Sequence, residues 1–163
     1  MKPLTKLTTI PENSAISNGF ERVDYFDVYR VVKSTTLSAE EVTAKIFKLP
    51  HWVIWLMKIR DSLVGIFGLK TEKELREGQL GERQTTLFHP MKQNENEIVM
   101  GENDKHLNFR VSVLVDRENS FIYLTTIVHF HNFWGRAYFL PVKPFHKLIV
   151  KSLLKRQANN WEA

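Results

Sequence analysis

Residues 106–131 read HLNFRVSVLVDRENSFIYLTTIVHFH. Leu107, Phe109, Val111, Val113 and Val115 alternate with His106, Asn108, Arg110, Ser112 and Asp116. Alternation at period two marks a strand with one apolar and one polar face. Leu114 falls on the polar side and interrupts the pattern. Arg117–Ser120 carries turn chemistry, and Ser120–His131 returns as a strand rich in aromatic and β-branched residues. This stretch is an antiparallel hairpin whose apolar face must be covered.

Working outward, Glu97–Gly101 and Thr85–Met91 read as two further strands, with Asn94 and Asn96 in the turn between them. Tyr25–Lys33, YFDVYRVVK, is a strand by the same criteria. Ser38 and Glu41 have the spacing of a capping box, so a helix is expected from there toward Leu49. Pro50 interrupts it. A second helix is expected from His51 to Phe67, ended by Gly68, with Trp52, Trp55, Leu56, Ile59, Leu63 and Ile66 on one face. Lys70–Gln79 is charged and reads as a surface loop. From Phe133 the chain reads as helical, with Pro141 and Pro144 expected to delay a clean start; Phe145, Leu148, Ile149 and Leu153 then form an apolar stripe up to Ala158. Residues 1–22, with Pro3, Pro11, Asn13, Ser14, Asn18 and Gly19, read as an irregular arm ahead of one domain over 23–160.

Composition bounds the answer. The 163 residues are 43% hydrophobic and 25% charged, which describes one packed globular domain rather than a disordered chain. Absence of cysteine excludes disulfides, thiolate nucleophiles and cysteine-ligated metal, and suits a reducing cytosol. Met1–Pro11 is polar and lacks the apolar region of a secretory signal. Lys58, Arg60 and Asp61 interrupt the most hydrophobic run, Leu49–Leu69, so no membrane span is expected. A cytoplasmic protein is the expectation. The net charge of +5 equals the charge of Lys143, Lys147, Lys151, Lys155 and Arg156, a segment without acids. These lysines are candidates for an anionic surface; the plainer reading is a solvated helix face.

The element order is strand, two helices, antiparallel strands and a long C-terminal helix: an α+β fold in which a sheet grips that helix. Its element order resembles the helix-grip superfamily of START and birch-pollen-allergen type. Locally the chain resembles the uncharacterised bacterial family of domain of unknown function 2867. The resemblance rests on Asp24-Tyr-Phe-Asp27, on WLMKIRDSLVGIFGLK at 55–70, on His106-Leu-Asn-Phe-Arg-Val111, and on TTIVHFHNFWGRAYFLPVKPFHKL at 125–148. That resemblance implies a fold and no mechanism.

Several constellations are candidates for chemistry. His129 and His131 lie two apart on one strand, and a two-residue turn at Glu118-Asn119 would set His106 opposite His131. Three imidazoles are a donor set for zinc. They fall opposite Leu107 and Phe109, on the side read as outer, so surface histidines are expected and no metal or other cofactor. Arg60 and Asp61 sit in an apolar helix; one of them either orients a ligand's polar head or serves as a cap or ion-pair partner. Asn132, Trp134, Gly135, Arg136 and Tyr138 stand where the last strand meets the last helix, as a ligand mouth or as a packed corner. No catalytic-triad order, His-Glu-x-x-His or phosphate-binding glycine loop is present.

The leading expectation is a binder of a small apolar molecule, in a cavity between sheet and C-terminal helix, with Arg60, Asp61, His131, Asn132, Trp134, Arg136 and Tyr138 as candidate contacts. An enzyme of cyclase or hydrolase type in the same cavity is the alternative. A membrane- or partner-binding module using Lys143, Lys147, Lys151 and Lys155 is a further one. No nucleic-acid partner is expected, since no reader motif accompanies the basic charge.

Overall fold

A computed structural model describes residues 4–49, 51–55 and 89–160. Its strands are β1 (Thr5–Leu7), β2 (Tyr25–Val32), β3 (His89–Gln93), β4 (Glu97–Asn103), β5 (Leu107–Asp116) and β6 (Phe121–Phe130). The helices with assigned bounds are α1 (Ala39–Ile46) and α2 (Phe133–Asn160). The strands form one sheet of order β1-β2-β6-β5-β4-β3, antiparallel throughout. The fold is α+β, a six-stranded antiparallel sheet with a long C-terminal helix, as the element order predicts. Among the described residues no helix is long and apolar enough to cross a membrane.

The β5–β6 hairpin sets the register. Leu107 pairs with Phe130 and Asp116 with Phe121. The turn holds Ser120 at φ 56°, and the Asp116 carboxylate accepts from the Asn119 amide at 3.0 Å. The Asx-type bond and one left-handed residue close the turn without a glycine. β2 then pairs with β6 along its whole length. At the far edge β3 shifts register between Pro90 and Lys92. Pro90 has no amide to give, and an edge strand is where that loss is tolerated.

The face of odd-numbered β5 residues and even-numbered β6 residues carries the main core. Val111, Val113, Val115, Ile122 and Leu124 pack with Val42 and Ile46 of α1 and with Val150, Leu153 and Leu154 of α2. α1 starts as its sequence requires: the Ser38 Oγ accepts from the Glu41 amide at 3.3 Å, and Glu41 Oε2 accepts from the Ser38 amide at 2.8 Å. It ends at Ile46, short of the expected Leu49, and residues 51–55 are helical. The rest of the predicted second helix, with Leu56, Ile59, Leu63 and Ile66, lies outside the described residues, as do Lys70–Gln79 and residues 85–88.

Three expectations are corrected. The N-terminal arm is not irregular throughout, because Thr5–Leu7 pairs with β2. Nor is the second sheet face open: Val28, Leu114 and Tyr123 pack with Leu7 and Ile10, and Val99 and Ile127 pack with Ile16, Ile10 and Phe20. Leu114 breaks the alternation because the arm gives it an apolar neighbour. The last helix starts at Phe133, as expected, but the prolines do not delay it, because both lie inside it. Pro141 and Pro144 are exposed, so water can reach the carbonyls they leave unbonded. Its apolar stripe divides: Ile149 and Leu153 pack on the core side, whereas Phe145 and Leu148 face solvent.

Candidate functional site

Strand periodicity sends Tyr25, Asp27 and Tyr29 of β2 to the helix-covered face. Here α2 crosses them in step. Lys143 Nζ lies 4.9 Å from the Tyr25 ring centre, His146 Nε2 lies 3.2 Å from Asp27 Oδ2, and Lys151 Nζ lies 5.8 Å from the Tyr29 ring centre. Four residues of strand advance about 13 Å and eight residues of helix about 12 Å, so the two columns stay matched. Phe139 closes one end, with its ring 4.8 Å from Tyr25 and 5.3 Å from Phe130.

Asp27 is the centre. It is buried at 1% exposure, accepts from the Tyr25 hydroxyl at 2.7 Å, and faces Thr126 directly across the β2–β6 ladder. Burial pushes its carboxyl up, but the bond and charge of His146, with the Tyr25 hydroxyl, outweigh it and hold the carboxyl below its ordinary range. Burial, then the bond and charge of Asp27, push the Tyr25 phenol far above its ordinary value. Burial and the Asp27 charge also raise Tyr29. Both phenols are therefore hydrogen-bond donors at neutral pH. The Tyr29 hydroxyl is buried with no hydrogen-bond partner among the described residues. His146 is partly open to solvent, and its Nε2 is the ring nitrogen that meets Asp27. The group can fix an imidazole in one orientation and offer phenolic donors inside an apolar layer.

The predicted residues divide. Arg60 and Asp61 lie outside the described residues. Asn132 caps α2, its Oδ1 accepting from the Gly135 amide at 3.1 Å, and it also meets the His106 ring. Gly135 is required at this corner, since a Cβ there would stand 2.2 Å from the His106 carbonyl oxygen. His106 does sit opposite His131, whose amide donates to the His106 carbonyl at 2.9 Å. The His129 and His131 ring centres are 4.9 Å apart. Against the expectation of an outer, open face, His129 is buried, beside Phe20 of the arm. No group of three or more His, Asp or Glu side chains among the described residues is arranged to hold a metal ion. Trp134 is exposed with its ring edge-on to Phe133, and Tyr138 is half-buried. The Arg136 guanidinium lies 5.9 Å from the Phe130 ring centre, so Phe130 and Phe139 link it to Tyr25. Of the lysines, Lys143 and Lys151 turn toward the β2 tyrosines.

The chain matches the model of a family described as "Protein of unknown function (DUF2867)" over residues 20–153. It belongs to the DUF2867 family. That match takes in β2 and all of α2 up to Leu153, so the whole Asp27–His146 site lies inside the DUF2867 region. Searches of curated proteins and of solved structures each returned no match.

Sequence reading passed over Tyr25, Asp27, Tyr29 and His146 as site residues. A signal was present: YFDVYRVV places a carboxylate on the same strand face as Tyr29 and Val31. A carboxylate on a face so apolar needs a partner. Nothing local names that partner, because His146 is 119 positions away.

Proposed function

We propose that this protein binds a small, largely apolar molecule between the sheet and α2, with its polar group held by His146 and the β2 tyrosines. The observation that carries the reading is the buried Tyr29 hydroxyl, without a hydrogen-bond partner among the described residues and within reach of the Asp27 charge. A buried hydroxyl without a partner costs about 1–3 kcal/mol, and an oxygen on a ligand would remove that cost. The sheet wrapped on a C-terminal helix supports a place in the helix-grip superfamily, whose architecture suits such ligands. A cysteine-free chain suits the reducing cytoplasm.

The Asp27–His146 pair favours one second reading, an enzyme of cyclase or hydrolase type. A carboxylate that orients an imidazole is the arrangement of a general base, and His146 keeps a ring nitrogen free of that carboxylate. The deciding experiment is mass spectrometry of the purified protein under native and then denaturing conditions. A small apolar compound released on denaturation, and absent from the His146→Ala and Tyr29→Phe variants, is the expected result. A chain that carries nothing, and whose thermal midpoint does not respond to a panel of fatty acids, sterols and aromatic polyketides, would overturn the binding reading.

A further inference from the structure

The side of α2 that faces away from the sheet has its own pattern. Phe133, Trp134, Leu140, Phe145 and Leu148 are between 46% and 73% exposed. On the same helix Val150, Leu153 and Leu154 are buried, so the exposed apolar side chains are a set separate from those that pack on the core. Over the same helix the sequence supplies Arg136, Lys143, Lys147, Lys151, Lys155 and Arg156, and no carboxylate. With Lys143 and Lys151 turned onto β2, Lys155 is exposed and Lys147 half-buried. Exposed aromatic and leucine side chains gain from the apolar boundary of a bilayer, and neighbouring cations gain from its anionic headgroups.

We propose that this outer face of α2 docks on an anionic lipid bilayer, with Trp134, Leu140, Phe145 and Leu148 entering the headgroup boundary. Lys147 and Lys155 then meet phosphate headgroups. Charge selects this occupant. A second copy packed face to face would set cations against cations with no acid on the helix to relieve them. A nucleic acid would satisfy the cations but offers leucines no apolar layer, whereas aromatic side chains and leucine both gain from the interface of a bilayer. The inference is independent of the ligand site, since none of the five exposed apolar side chains takes part in the Asp27–His146 pair.

The test is co-sedimentation of the full chain with vesicles of phosphatidylcholine alone and of an equimolar mixture with phosphatidylglycerol. Binding to the anionic vesicles, weakened by high salt, is expected. Two variants separate the contributions: Leu140→Ser with Leu148→Ser, and Lys147→Glu with Lys155→Glu. Each pair should lower partitioning about tenfold or more. All four positions are exposed or half-exposed, so circular dichroism and the melting temperature should stay at the parent values. Trp134→Phe should remove the blue shift of tryptophan emission that vesicles induce. Failure to sediment with either vesicle, or binding unchanged in the leucine variant, would overturn the proposal. So would a concentration-dependent dimer in solution that the leucine variant abolishes, since it would assign the face to a second copy.

Discussion

Asp27 holds its charge only because three elements converge on it. β2 supplies the carboxylate and Tyr25, β6 places Thr126 beside it, and α2 delivers His146. Its depressed pKa makes it a source of pH-dependent stability. A carboxyl whose folded pKa lies below the unfolded one contributes fully above the unfolded value, about 4. That contribution fades as pH falls through the folded value. Asp27→Asn should therefore cost about 2 kcal/mol at neutral pH, because the amide cannot serve Tyr25 and His146 as a charge does. Urea titrations of the two proteins from pH 7 downward should converge as pH drops below 4. A gap that stays constant with pH would remove the charge from the account. Tyr29→Phe makes the opposite prediction. It deletes a hydroxyl that bonds to no described residue, so stability should be unchanged or rise by about 1 kcal/mol, while retention of ligand falls.

At the scale of elements, the corner between β6 and α2 decides where His146 lands. Asn132 caps the helix and bonds toward residues 105–106, and Gly135 lets the first turn close on the His106 carbonyl. Gly135→Ala would force backbone to move, since the obstructing atom is a carbonyl oxygen rather than a flexible side chain. We expect a loss of about 1–3 kcal/mol in urea melts. Faster hydrogen exchange should appear in residues 133–139 with little change in β2. Much of this architecture is legible in the sequence. Alternation in β5, the Ser38–Glu41 box and the Asn94–Asn96 turn each arise from local chemistry, so they predict their elements. Tertiary rotation is not local. Which face of α2 meets the sheet follows from where Asn132 and Gly135 start the helix, and Phe145 and Leu148 are as apolar as Ile149 and Leu153. A periodic stripe drawn through all four cannot show that the first two face water. The same limit hid the site: Asp27 was visible as a charge in a strand, but its partner depends on that rotation.

At the scale of the whole molecule, the sheet is the middle of three layers formed by the described residues. Helices cover one face, and a chain segment with little regular structure of its own covers the other. Such a segment can stay in place only if something fixes it, and Glu97 does so. Its buried carboxylate accepts from the Ser14 hydroxyl, the Ala15 amide at 2.7 Å and the Ser112 hydroxyl. Ile16 then sits against Val99 and Ile127 at 1% exposure. Glu97→Ala takes the acceptor from three donors at once, and Ile16→Ala removes the apolar contact without touching them. Each should cost about 2–4 kcal/mol. Their signatures should differ. Glu97→Ala should open residues 4–20 to limited proteolysis while the β5–β6 amides stay protected, because the opposite face keeps its helices. Deleting residues 1–20 should go further and leave Val28, Val99, Leu114 and Ile127 uncovered. That chain should bind the dye ANS and self-associate on size exclusion. A truncated chain that stays monomeric, binds no dye and melts with the parent would show that the second face needs no cover, and the three-layer account would fail.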